Sequence, residues 1–363
     1  MNPTIGNKII VSAPARICLF GDHQDYLGLP VIACAIDRQV ILTAESNNDR
    51  IFHISMPDIS SERDISIFET FEILESQDYF GSAIRVLNRY GCRPTKGYDL
   101  TLKSNIPINA GVSSSSAILV AWIHFLLKAF GCDQKITCQL IAQLAYEAEV
   151  LEHNSPGGRM DQYTISIGNI VYIDTATDLT FQTIGTSLEG LILAESGEPK
   201  DTLGLLAHVR KNTSEAIDAV VKKATGFRLK EATILDYERY SAKVSEKLRP
   251  YLYAAIKNHT ITKEALKELR QERIDYKLVG QLMTMHHFIL KYQLGVTTLK
   301  IDAMIEAALK ADAYGTKIVG SGGGGSIVAL CPLGEEEKII QSILESGAKT
   351  AYKVSVTKGT LNK

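Results

Sequence analysis

Residues 106–119 read IPINAGVSSSSAIL. Four serines, Ser113 to Ser116, follow a proline and a glycine and precede a run of helix formers. A flexible linker of that composition would carry more Gly, Ser and Pro on both sides. Here a strand-like run, GYDLTLKSNIP, stands before it and an apolar helical run, AILVAWIHFLLKAF, after it. That context places residues 110–116 at a helix N-terminus. Four backbone N–H groups there lack intrahelical partners, and the helix dipole adds about half a positive charge. Gly111 lets the backbone approach a bound group closely, and the hydroxyls can donate to oxygens or reach a metal. A serine N-cap alone would account for one hydroxyl, not four. The stretch suits a phosphate.

Three further stretches carry polar chemistry. GSGGGGS at 320–326 matches GxGxxG by letter, but the dinucleotide fingerprint needs a helix straight after the turn. Here a strand, IVALCP, follows, so the unit reads as a hairpin-like glycine turn whose bare backbone can close over a ligand or another loop. No GxxxxGK[ST] occurs, which excludes a P-loop enzyme. ARICLFGDHQDYLG at 15–28 puts Arg16 on a strand and crowds Asp22, His23 and Asp25 into a turn. Carboxylates beside an imidazole suit the hydroxyls of a polyol; Asx turns are the plainer reading, and a metal site lacks a matching distal set. EAEVLEHNSPGGRMDQY at 147–163 sets Glu149 near a helix end and Asp161 just after a Gly-Gly turn. Carboxylates so placed could hold Mg²⁺ or take a proton from a hydroxyl nucleophile.

The rest of the chain bounds what these stretches can belong to. Its 363 residues, 45% hydrophobic and 22% charged, predict two domains. The formal net charge of −2 and pI near 6.5 supply no basic field for nucleic acid or anionic membrane. Six cysteines without CxxC spacing read as buried free thiols. MNPTIGNKII lacks the features of a signal peptide, and the serine-led apolar run is too short to span a bilayer, so a cytoplasmic protein is expected. Strand-like runs dominate the first 60 or so residues, with Pro14, Gly21 and Gly28 as punctuation. Helical patterns follow from about 115 to 152, strands near 170 and 190, helices from about 203 to 314, and a strand–glycine–strand unit, a helix and a closing strand. Mixed elements in both halves predict an α+β fold, with domains at 1–185 and 186–363.

Taken together and in order, these motifs resemble the GHMP small-molecule kinases, and within them the galactokinase branch. PARICLFGDHQDYLG stands where that branch has PGR…GEHTDYN, PINAGVSSSSA where the family has PxxxGLxSSA, AEVLEHNSPGGRMDQ where it has an AEH-type helix and GIMDQ, and KIVGSGGGGSIVAL where it has KxTGxGxGGxxxAL. The resemblance implies a two-domain fold, the first domain like ribosomal protein S5 domain 2 and the second ferredoxin-like, with the site in the cleft between. It implies ATP and Mg²⁺ as cofactors and transfer of the γ-phosphoryl group to the anomeric C1 hydroxyl of galactose or a close relative. By position, Gly111, Val112, Ser113, Ser114 and Ser115 would wrap the ATP phosphates, with Gly322, Gly323 and Gly324 beside them. Ser115 and Glu149 would hold the metal. Asp161 would take or orient the substrate proton, and Arg16 would neutralise the transferring group. Asp22, His23, Asp25 and Gly158, with Arg16 and Asp161, would hold the sugar. Its partners would be a small sugar and ATP, with no nucleic acid or membrane, and it would be a monomer or weak homodimer. Departures leave the sugar open: Asp22 replaces Glu, Gln24 replaces Thr, Arg159 replaces an apolar residue, and the sugar-contacting tyrosine has no counterpart between 190 and 240. A uronic acid, another aldose, a heptose phosphate, or a silent sugar sensor are the alternatives.

Overall fold

The computed structural model describes residues 8–185, 187–198, 202–224 and 226–361. Strands β1 (Ile9–Phe20) and β2 (Val31–Ser46) pair antiparallel along their length, from Ile9 opposite Ala44 to Phe20 opposite Ile32. Pro14 does not end β1, as its position suggests. It lies inside the strand at a register shift between Pro14 and Ala15, where a missing N–H is tolerated. Two strands follow that the sequence pattern did not single out, β3 (Ile51–Met56) and β4 (Ser61–Ser66). Next come helix α1 (Tyr79–Arg89), β5 (Tyr98–Ser104), α2 (Ser114–Phe130), α3 (Cys138–Tyr146), α4 (Met160–Ile167), β6 (Ile170–Asp174) and β7 (Thr180–Ile184). Seven strands form the first sheet in the order β4-β3-β5-β2-β6-β7, with β1 on β2 and only the β3–β5 pair parallel.

Helix α2 is the apolar run behind the serines, and it is the centre of the core. Trp122 and Phe125 on it are fully buried, and Phe52 of β3 packs edge-on to the Trp122 ring at 5.3 Å. Phobic on nearly every side, it is a core helix, as expected. Among the described residues no helix is long and apolar enough to cross a membrane.

The second sheet holds β8 (Leu191–Glu195), β9 (Gly315–Ile318), β10 (Ser326–Leu330) and β11 (Thr350–Val354), all antiparallel in the order β11-β8-β10-β9. Between β8 and β9 run α5 (Thr202–Val221), α6 (Ile234–Tyr240), α7 (Arg249–Leu269), α8 (Tyr276–Tyr292) and α9 (Leu299–Lys310), and α10 (Glu336–Glu345) links β10 to β11. The fourth strand of this half beside its first, and the third beside its second, is the ferredoxin-like order. The chain thus has two units of mixed α and β content, as expected.

The change of sheet falls between Ile184 and Leu191; the expected boundary residue 186 lies outside the described residues. The halves are not separate cores. Ile261, Val279 and Met283 of α7 and α8 share one buried cluster with Ile17, Phe20 and Ile36. After β11 the chain returns to the first sheet: Val356 bridges to Ile36, Lys358 bridges to Gly168, and the Thr360 hydroxyl donates to the Ser12 carbonyl at 2.6 Å. Residues 356–360 therefore complete the first unit, which corrects the assignment of all of 186–363 to the second. The six cysteines are free, but Cys132 and Cys138 are only half-buried rather than in the core.

Candidate active site

The serine stretch is the turn between β5 and α2. Asn109, Gly111 and Ser113 all take positive φ, and Ser113 is the N-cap of α2, with Ser114 as its first residue. A serine held at φ 61° is strained by roughly 1–3 kcal/mol, a strain that clusters at functional sites. The Ser113 hydroxyl does not cap the helix; it donates to the Asp161 carboxylate.

Arg16 ties this turn to Asp161. It is 5% exposed on β1, and its Nε and Nη2 each donate at 2.8 Å to one carboxylate oxygen of Asp161. Its Nη1 donates to the Gly111 carbonyl at 2.6 Å, and its backbone N–H to the Val112 carbonyl at 3.2 Å. Burial works against the charge of this guanidinium, but Asp161 outweighs it and holds the pKa above its ordinary value. Asp161 is not on the glycine turn itself. It sits in the first turn of α4, where the helix dipole favours a carboxylate. Two oxygens receiving three donors are oriented before any substrate arrives.

Glu149 lies in a π-turn, Glu147–Leu151, that continues α3, rather than in a regular helix end. π-turns of this kind occur often at functional sites. Its Oε1 accepts from Ser116 at 2.9 Å and Ser115 at 3.3 Å, and its Oε2 from the Gln162 amide at 2.7 Å. Burial raises its pKa, and the charge of Asp161 adds to that rise. A buried carboxylate beside two hydroxyls is an all-oxygen donor set, which fits a hard cation that takes its remaining ligands from water and phosphate. Ser116 belongs to the serine stretch but lies past the residues the resemblance assigns a role, and Gln162 escapes sequence reasoning; its only signal is its place beside Asp161.

The Asp22–Asp25 turn divides by role. Asp22, expected among the sugar contacts, is turned inward with a side chain 1% exposed. It pairs with Lys317 Nζ at 2.7 Å and accepts the Gly320 N–H at 2.9 Å. Burial acts to raise its pKa, but Lys317 prevails and the net shift is downward. This carboxylate braces the glycine loop and has no open face for a sugar. His23, at φ 63°, bonds through Nε2 to the Ser321 carbonyl at 3.1 Å and through Nδ1 to Tyr26 Oη at 3.1 Å. A carbonyl only accepts, so Nε2 carries the proton and the Tyr26 hydroxyl donates to Nδ1. Asp25 accepts the N–H groups of Tyr26 at 3.0 Å and Met160 at 3.4 Å. Gly158 lies so close that a Cβ there would meet Asp25 Oδ2 at 2.0 Å. The turn thus presses on the residues just before Asp161.

Burial, and then the Asp161 charge, push the Asp25 pKa up to about 6. A carboxyl whose folded pKa is raised binds its proton more tightly when folded, so its contribution to stability is present near pH 4 and is lost as pH rises toward about 6. Urea unfolding across this range is expected to give a falling wild-type-minus-variant difference against Asp25→Asn. A flat difference would show that Asp25 is not strained by its surroundings.

The glycine loop joins β9 to β10 as the expected hairpin turn, with Ile318 opposite Ile327. Gly322, Gly323 and Gly324 take φ of 83°, 73° and 112°, and the Gly323 N–H donates to the Val296 carbonyl at 2.8 Å. A Cβ on Gly325 would sit 3.1 Å from the Ala110 carbonyl, so this loop lies against the serine turn. Arg159, which replaces an apolar residue of the family pattern, places its guanidinium 4.9 Å from the Tyr146 ring centre.

Comparison with known proteins sets this geometry in context. The GHMP kinases N terminal domain matches residues 78–169, the GHMP kinases C terminal domain residues 263–349, and the galactokinase galactose-binding signature residues 3–45. A mevalonate kinase of Thermococcus sibiricus is 28% identical over 96% of each chain. A galactokinase of Clostridium perfringens is 27% identical, covering 91% of this chain and 87% of its own. Among solved structures, Lactococcus lactis galactokinase complexed with galactose superposes with a TM-score of 0.88 at 20% identity, covering 100% of this chain and 97% of its own. The Methanococcus jannaschii mevalonate kinase gives 0.73 at 21% identity, covering 98% of this chain and all of its own. Both family domains occur in order on one fold, with a further signature ahead of them, and the chain belongs to the GHMP kinase family.

Proposed function

We propose that this chain is an ATP- and Mg²⁺-dependent sugar 1-kinase acting on galactose or a closely related aldose. The observation that carries the proposal is Arg16, which spans the Asp161 carboxylate and the serine-turn backbone beside the His23–Asp25 turn. The galactose-binding signature over that turn supports the sugar.

In this reading the serine turn and the α2 N-terminus receive the ATP phosphates, and the glycine loop closes their other side. Glu149, Ser115 and Ser116 would hold Mg²⁺, which supplies charge neutralisation on the phosphates when bound. Asp161 accepts the hydrogen bond of the anomeric hydroxyl and orients its oxygen toward the γ-phosphorus. The O–H proton passes to Asp161 as the new P–O bond forms and the bond to ADP breaks. Arg16 offsets the charge on the transferring group. A loose transition state needs little deprotonation early, so positioning and electrostatics carry most of the barrier reduction. Such an intact set speaks against a silent sensor.

Mevalonate is the second reading, favoured by the 28% identical relatives. Phosphorus NMR of reactions with Mg-ATP and either aldoses or mevalonate separates the two. The expected product is an anomeric sugar phosphate. A phosphate on a primary sugar hydroxyl, or turnover of mevalonate alone, would overturn the proposal.

A further inference from the structure

A cavity of about 530 Å³ opens beside the Asp25 turn, between the π-turn and α5. Tyr146 and Gly157 line one wall, and Arg210, Lys211 and Ser214 of α5 the other. Among the described residues no carboxylate lines it. The acids of the nearby π-turn face the opposite way: Glu147 and Glu152 pair with Arg89 of α1, and Glu152 also with Arg85. Arg159 lies over the Tyr146 ring, so a third cation borders the same wall. Among the described residues none of Arg159, Arg210 and Lys211 has a carboxylate partner.

Arg210 connects this cavity to the sugar turn. Its Nη1 donates to the Pro156 carbonyl at 2.9 Å, and its guanidinium lies 5.7 Å from the centre of the Tyr26 ring. Tyr26 in turn bonds His23, and Gly158, next to the lining residue Gly157, abuts Asp25. Among the described residues this wall thus carries cations and no acid, and an anionic ligand would balance its charge.

We infer that the cavity lined by Arg210 and Lys211 is an anion subsite of the acceptor pocket, and that the acceptor is an aldose carrying a carboxylate or phosphoester away from its anomeric carbon. The inference rests on the sugar-kinase reading. A half-exposed charge-assisted hydrogen bond contributes about tenfold in affinity.

Titration calorimetry of the full chain with galactose, galacturonate, galactose 6-phosphate and inorganic phosphate tests it. At least one anionic sugar is expected to bind about tenfold or more tightly than galactose. Lys211→Met and Arg210→Met should each cut that preference by about tenfold; Lys211, which carries no contact to Pro156, covers the case in which the Arg210 variant melts early. Galactose binding as tightly as both anions would overturn the inference and leave the sugar kinase standing. So would a preference that survives both substitutions, or inorganic phosphate binding equally well without competing with galactose. Mevalonate binding with no sugar binding would instead remove the sugar reading itself.

Discussion

Asp161→Asn is expected to lower kcat by at least about two orders of magnitude while leaving the KM for ATP nearly unchanged. The substitution keeps the size of the side chain and part of its hydrogen bonding. It replaces one oxygen that now accepts from Arg16 with an amide that donates, and removes the charge that faces the guanidinium. Arg16 then loses its bidentate partner, and the acceptor hydroxyl loses both its orienting contact and its proton acceptor. Arg16→Ala should cost about as much, because Arg16 also holds the Gly111 carbonyl and hence the serine turn. The double variant should lose less than the product of the two, since the pair acts as one unit. Steady-state kinetics on folded variants decide it. An Asn variant with most of its kcat would reduce Asp161 to a structural partner of Arg16.

Lys317→Met is the second large effect, and it acts on stability. Lys317 is fully buried, its Nζ 2.7 Å from Asp22 and donating to the carbonyls of Cys18 and Ile318 at 2.9 and 2.8 Å. Removing one member of a buried pair strands the other charge, at a cost of about 3–5 kcal/mol. The imidazole of His286, 3.9 Å from Asp22, is uncharged beside the intact pair, its pKa pushed down to about 3 by burial and then by the Lys317 charge. Asp22→Asn combined with Lys317→Met should recover a large part of the loss, since no charge then remains buried. Urea unfolding of the four proteins of this cycle measures it. A single variant within about 1 kcal/mol of wild type would mean that the pair is not what fastens the two sheets.

Much of this site was legible in the sequence, for a physical reason. Ser113, Arg16 and Asp161 lie on a turn, a strand and a helix start, and each carries a local signal in glycines, prolines or periodicity. Lys317 opens the KIVGSGGGG motif but carries no local signal of its burial. In TKIVGSGGGG it reads as an ordinary polar residue of a strand, and only a carboxylate far back in the chain, at Asp22, explains its burial. The same pairing explains why Asp22 was misread as a sugar ligand: its neighbours in sequence say nothing of a cation reached through tertiary packing. Strand β4 was missed because charged residues interrupt its alternation, in SERDIS, where Ile65 alone is buried, whereas β3, IFHISM, alternates with Phe52 and Ile54 inward and was passed over. The π-turn at Glu149 was invisible because one residue of slippage barely disturbs an apolar helical pattern.

The return of residues 356–360 to the first sheet bears on how the protein is made. The bridges from Val356 to Ile36 and from Lys358 to Gly168 join residues separated by most of translation. His124, held neutral by burial at a pKa of about 4, rests its Nδ1 on the Thr360 hydroxyl at 2.9 Å, deep beside helix α2. While the ribosome is still synthesising the second half, this groove along β1, β2 and α2 lies open, with backbone groups that have nothing to pair with. A nascent chain halted near residue 185 would therefore be an incomplete unit, however regular its strands, and a natural substrate for chaperones until its strap is delivered.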